Sequence, residues 1–247
     1  MKSKLIETIE FKTMDLNPEL FIIEVPSWGA VTQPLKEYAL AQYQRQSGQV
    51  VKELTDDILQ QVEDIPVDTV TDFEMMGIEV YKNSQAQHHF YNQILPAILS
   101  EYSLKSDVTI DEEELEEYIE DYMEKVEGYA ASYEMNLSDY GEKVMGIEGD
   151  AEAEFHKRAK EDFVFKIIAV DHFKEIGGST GELAYEEFIQ QNVLQNQADP
   201  IELKSRLPYD VFKIMMPEMH LSQEIYDYYF PQIKFEINPE APLQFNQ

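Results

Sequence analysis

The residues of this chain that could do chemistry are few and scattered. His88-His89 is the only histidine pair, and neighbours on a helix point about 100° apart, a poor geometry for holding one metal ion jointly. Asp171-His172 and Glu154-Phe155-His156 set carboxylates beside imidazoles, the pairing that general acid–base work uses. In so acidic a chain such neighbours arise by chance, and structural or solvated roles are expected for them. The acid run Asp111 to Glu124 offers oxygens to a hard cation but lacks the glycine turn of a calcium loop, and it lies on a strong helical pattern. Gly177-Gly178-Ser179-Thr180-Gly181 lacks the lysine of a phosphate-binding loop and reads as a helix stop and restart. Neither HExxH nor GxSxG occurs. The absence of cysteine excludes a disulfide framework, a thiol nucleophile and a thiolate metal site. Catalysis needs a nucleophile, base or metal in mutual reach, so the expectation is a protein that is not an enzyme and uses neither metal nor cofactor.

Ten methionines and fifteen tyrosines are the more suggestive supply. Flexible thioethers adapt to many partner shapes, and amphipathic aromatics sit half exposed at binding surfaces; the alternative is that they fill cores between helices. The charge selects among partners. With 49 acidic against 19 basic residues the formal charge is −30, which repels phosphate backbones and anionic lipid. The three arginines, Arg45, Arg158 and Arg206, lie far apart. Nucleic-acid and membrane binding are therefore not expected, whereas basic polypeptide would be attracted, less so as salt rises. Hydrophobic residues at 43% and aromatics at 12% are enough for most of the chain to pack. The N-terminus turns acidic at Glu7 before any apolar stretch of signal-peptide length, and no apolar run is long enough to span a bilayer; the expectation is a cytoplasmic protein.

The elements that must position these side chains are mainly helical. Leu5 to Phe11 and Phe21 to Val25 read as extended, separated by Asp15-Leu16-Asn17-Pro18, and predict a small hairpin. Pro34 sits where a first helical turn tolerates proline and opens a helix to about Gln46, stopped at Ser47-Gly48. A short helix follows over Lys52 to Val62. A longer one over Thr69 to Leu104 carries Phe73, Met76, Val80, Phe90, Ile94 and Leu95, with a bend or division at Pro96. Thr109 and Glu112 predict a capping box for a helix whose stripe is Leu115, Ile119, Tyr122, Val126, Tyr129 and Tyr133. Asn136 starts a short helix. Asp150 caps the next, with Phe155, Ala159, Phe163, Ile167 and Val170 buried before Gly177, and the two long helices should lie antiparallel. Ser179 and Glu182 predict a second capping box for a helix to about Asn196, and Asp199-Pro200 starts another. Pro208 and Pro217 bracket a short helix over Tyr209 to Met216, with a last turn over Ser222 to Tyr229. Gln232 to Ile237 alternates like a strand able to join the N-terminal hairpin. The organisation expected is an N-terminal extended segment (1–33), a helical domain (34–220) and a C-terminal helix turn, strand and tail (221–247).

Within this pattern, Leu54 to Phe173 resembles the C-terminal domain of trigger factor, the ribosome-associated folding chaperone. Ile98-Leu99-Ser100-Glu101-Tyr102, then Val108-Thr109-Ile110-Asp111-Glu112-Glu113-Glu114-Leu115, is similar to the place where one arm helix ends, an extended segment intervenes and an acid-rich helix begins. Tyr133-Glu134-Met135-Asn136-Leu137-Ser138-Asp139-Tyr140 resembles the loop between two long arm helices. Ala153-Glu154-Phe155 through Ile167-Ile168-Ala169-Val170 looks like the returning helix, and Tyr185 to Met216 continues as the second arm. The resemblance implies a mainly α fold of helical arms and bundle, with a small β element from the two terminal segments. It implies ATP-independent, chaperone-type binding of unfolded, nascent or unassembled polypeptide in a helical cradle. Tyr133, Met135, Met215, Met216 and Met219, which are Met and Tyr near helix ends, are the candidate client-binding residues. Residues 1 to 50 contain nothing like the family's basic Gly-Phe-Arg loop, and Ser47 to Glu53 leaves no room for its prolyl isomerase insertion, so ribosome docking through that loop and isomerase activity are not expected. A homodimer that buries its own apolar faces is in keeping with such a shape and is opposed by −30 of charge at low salt. Three other readings stand beside this one: an adaptor for one dedicated folded partner, an enzyme with an unrecognised carboxylate site, and an exported chaperone sharing the helical fold.

Overall fold

Polar residues at the breaks between apolar stripes cap the helices of this chain. The computed structural model describes residues 2–244, leaving aside the side chains at 195 and 196. In chain order the strands and helices are β1 (Lys4–Glu7), β2 (Ile22–Val25), α1 (Trp28–Ser47), α2 (Asp56–Leu59), α3 (Val70–His89), α4 (Leu95–Lys105) and β3 (Asp107–Thr109). There follow α5 (Glu112–Ser132), α6 (Leu137–Lys143), α7 (Ala151–Glu175), α8 (Glu182–Asn196), α9 (Pro200–Arg206), α10 (Tyr209–Tyr229) and β4 (Lys234–Ile237). The fold is mainly helical with two small two-stranded sheets. Side chains of Ser27, Thr55, Thr69, Asp111, Asn136, Asp150 and Asp199 each accept a main-chain N–H at a helix start, an arrangement worth about 1 kcal/mol each. Among the described residues no helix is long and apolar enough to cross a membrane.

Several elements depart from the sequence expectation, each for a physical reason. The N-terminal hairpin does not form: β1 pairs antiparallel with β3, Leu5 opposite Val108, and β2 pairs parallel with β4, Ile23 opposite Phe235. The linker that would have been the hairpin turn is instead coiled into two short 3-10 turns, Phe11–Thr13 and Pro18–Phe21, the second capped by Asn17. Helix α1 begins at Trp28, because the Ser27 cap starts it six residues before Pro34, which lies inside. Only one turn, α2, forms in 52–62. Pro96 does not divide the long helical run. A π-helical turn over Phe90–Ile94 intervenes between α3 and α4, so the Asn92 carbonyl, which Pro96 cannot serve, lies in a widened turn. Thr109 belongs to β3, and Asp111 caps α5 in its place. At α8 the cap position is Gly181 without a side-chain bond, Ser179 Oγ accepting from the Gly181 N–H instead. The segments 209–216 and 222–229 are one helix, α10, with Pro217 buried inside it. Proline has no N–H to offer the Lys213 carbonyl, and Lys213 is exposed. Positions 33/34 and 220/221, where the segment boundaries were expected, lie inside α1 and α10.

The chain divides into two compact units, Met1–Leu16 with Leu95–Tyr229, and Asn17–Ile94 with Phe230–Gln247. In the first, α7 is the central element, packed by α4, α5, α6 and α10. Leu115 near the start of α5 meets Phe163 and Ile167 in the second half of α7. Val126 and Ala130 near its end meet Ala151 and Phe155 at the start of α7, with Tyr140 of α6. The two long helices are therefore antiparallel, as expected. Helices α8, α9 and the start of α10 share a separate core around Tyr185, Ile189 and Phe212. The second unit packs α1, α2 and α3 around Ala39, Leu54, Leu59 and Phe73, and sets β2 and β4 beside Val31 and Tyr81.

Candidate functional site

Helix α10 carries two sets of apolar residues. One set, Phe212 in the core shared with α8 and α9 and Pro217, Leu221, Ile225 and Tyr229 further along the helix, is buried. The other, Val211, Ile214, Met215 and Met219, follows i, i+3, i+4 and i+8 spacing and faces solvent, with Ile214 55% and Met215 44% exposed. A stripe of this kind needs a partner or a reason to stay open. Glu218 lies within the stripe by the same spacing. Its carboxylate is directed to Lys166 of α7, 4.0 Å away. Burial pushes the Glu218 carboxyl up to about 7, Lys166 opposing and Asp162 adding to the shift. Asp162 accepts a 2.5 Å hydrogen bond from the Tyr118 hydroxyl, and the Lys166 ammonium stands 4.9 Å over the Tyr118 ring. Burial first, then Asp162, raises the Tyr118 phenol. The open stripe of α10 is thus flanked by a half-buried polar cluster on α5 and α7.

The five expected client-binding residues fall into two groups and two environments. Tyr133 and Met135 are at the α5–α6 turn; Met215, Met216 and Met219 are on α10. Tyr133 is exposed and its ring leans on Tyr140 at 5.7 Å. Met135 is half-buried against Val126, Ala130 and Phe155, and Met216 against Tyr185, Ile189 and Phe212. Those two fill cores, so they are not available to a client in this structure. Met215 and Met219 remain open. Sequence reasoning missed Val211 and Ile214, whose signal was the second apolar period of an uninterrupted α10.

The histidines are also resolved. His88 and His89 diverge, one beside Asn92 and the other 2.7 Å from the Leu20 carbonyl oxygen. Glu154 pairs with Arg158 on its own helix, and the Gly177 to Gly181 stretch lies between α7 and α8, as a stop and restart. His172, in contrast, is brought against α10, where Nε2 lies 2.7 Å from Glu224 Oε2, and Glu224 Oε1 lies 3.9 Å from His220 Nδ1. His172 and Glu224 line a cleft of about 600 Å³ walled by Leu5 to Lys12, Tyr102, Ile168 and Leu221. Of the side chains described, His172, His220 and Glu224 are the group able to hold a metal ion. No family model, curated protein or solved structure matches the chain.

Proposed function

We propose that this chain binds unfolded or unassembled polypeptide without nucleotide, holding apolar client segments against the open face of α10. The observation that carries the reading is the solvent-facing stripe Val211, Ile214, Met215 and Met219 on a helix whose Phe212, Leu221, Ile225 and Tyr229 are already buried. Covering an apolar side chain of this size contributes about 1.5–3 kcal/mol when it starts fully exposed. Four side chains that start about half exposed give about 3–6 kcal/mol before the cost of association. That is a weak, exchangeable hold, suited to clients that must be released without an energy source. Other exposed apolar residues of the first unit, among them Tyr129 and Tyr133 near the α5–α6 turn and Leu183, Leu194 and Ile201 on α8 and α9, add to it by offering further contacts to one long client. The trigger-factor resemblance lends support through element order: α4, a short strand, α5, a turn, α6 and a returning α7, then a second helical group. The acidic surface favours basic clients and keeps a loaded complex in solution.

The test is aggregation of two chemically denatured reporters, one acidic and one basic, diluted into increasing amounts of this protein without nucleotide. Suppression of both near equimolar ratio, stronger for the basic reporter and weakening with salt for it, is expected. Protection of neither would sink the reading in favour of an adaptor for one folded partner.

A further inference from the structure

We propose that His172, His220 and Glu224 form a binding site for one divalent transition-metal ion, Zn²⁺ foremost, that ties α7 to α10. This site is independent of the client face and of the reading built on it. Its residues come from two packed helices. His220 and Glu224 are one turn apart on α10, the i, i+4 relation that sets two side chains on one face, and His172 projects from the last turn of α7. One potential ligand atom from each lies within 4.8 Å of the others.

The geometry is close to what the ion requires. Tetrahedral coordination with bonds of about 2.0–2.2 Å sets ligand atoms roughly 3.3 Å apart. The observed separations, 2.7 Å from His172 Nε2 to Glu224 Oε2 and 3.9 Å from His220 Nδ1 to Glu224 Oε1, run to different carboxylate oxygens and lie about 0.6 Å to either side of that spacing. Rotation of the Glu224 side chain moves its two oxygens in opposite senses relative to the two imidazoles. Two imidazoles and one carboxylate suit Zn²⁺, Co²⁺ or Ni²⁺ over the all-oxygen preference of Mg²⁺ and Ca²⁺. Three protein ligands leave a fourth position, and the cleft lined by His172 and Glu224 supplies room for water or a donor from a bound molecule there.

A second observation points the same way. His220 Nδ1 is shielded from water and makes no hydrogen bond, although the ring is held by an edge contact with Phe173 at 5.4 Å. An unserved buried nitrogen costs free energy that a metal bond would remove. The ion would bind the folded chain only and so raise its stability with concentration.

The experiment is calorimetric titration of the chelator-treated full chain with ZnCl₂ alone near neutral pH, repeated in excess MgCl₂. One saturable Zn²⁺ per chain, insensitive to Mg²⁺ and accompanied by a rise in thermal midpoint, is expected. Glu224→Gln and His220→Ala should each weaken it by more than roughly tenfold, the loss that even outer-shell partners cause, with the metal-free helical circular dichroism unchanged. His156→Ala, on the same helix as His172 but outside the cluster, should bind as the parent does. Should His220→Ala fail to fold, Glu224→Gln carries the comparison. No saturable site, or several weak ones displaced by Mg²⁺ as bulk acidity alone would give, or parental affinity in Glu224→Gln, would overturn the proposal.

Discussion

Replacing Glu218 by Gln is the perturbation whose outcome follows most directly from the structure. The Glu218 carboxyl is raised from 4.5 to about 7 because burial disfavours its charged form, with Lys166 only partly offsetting this. Between those two values the folded state holds a proton that the unfolded state has released. Stability therefore falls as pH rises from about 4.5 to about 7 and is level above that. A shift of about two and a half units at 1.36 kcal/mol per unit corresponds to a cost of about 3 kcal/mol for carrying the ionised group at about pH 8. Glutamine mimics the protonated acid, so Glu218→Gln should be more stable than the parent by up to about 3 kcal/mol at about pH 8 and equal to it at about pH 4. The assay is urea unfolding of both proteins across that range, because their difference cancels the titration of the other acids. A variant that is less stable at high pH would refute the reasoning, since it would mean that the Lys166–Glu218 pair outweighs the desolvation of the carboxylate. A difference that does not change with pH would refute it equally.

Three further substitutions test the packing of the first unit. A Cβ added at Gly141 would lie 2.6 Å from the Ala151 Cβ, where α6 meets the start of α7 and no flexible side chain can yield. Gly141→Ala should lose about 1–3 kcal/mol to overpacking, reduced by at most about 1 kcal/mol of helix propensity, and calorimetric melting measures the net loss. The Tyr229 hydroxyl donates to the Phe11 carbonyl, whereas the Tyr102 oxygen accepts from the Phe11 main-chain N–H. Tyr229→Phe should cost about 1 kcal/mol, since the Phe11 carbonyl keeps the Met14 N–H, and Tyr102→Phe about 1–3 kcal/mol, since it takes the acceptor from the Phe11 N–H; urea unfolding in which Tyr102→Phe costs nothing would contradict this.

Local signals were legible in the sequence and long-range ones were not. Asn136, Asp150 and Asp199 were readable as caps because a cap is decided by its own side chain and the next three residues. Pro34 and Pro217 were misread for the opposite reason. A proline costs roughly 3 kcal/mol inside a helix, but the burial of Phe212, Leu221 and Ile225 on either side of Pro217 in α10 outweighs it. The strand partners Leu5 and Val108, or Ile23 and Phe235, are far apart in the chain, and nothing in a four-residue apolar run names its partner. The candidate face shows the same division. Met215 and Met216 are one residue type side by side, and only the packing of α8 against α10 makes one open and the other core. With a break expected at Pro217 and the next turn at Ser222, His220 fell off the helix, and its one-turn relation to Glu224 was hidden.

The most direct measurement on the client face compares the parent with Ile214→Ser, Met215→Ser and Met219→Ser combined, in the aggregation assay and in urea unfolding. These side chains are about half buried, so the triple variant should lose about 2–4 kcal/mol of stability and, under conditions where it is still folded, most of its protection of both reporters. Full protection by a stably folded triple variant would contradict the assignment of client binding to α10.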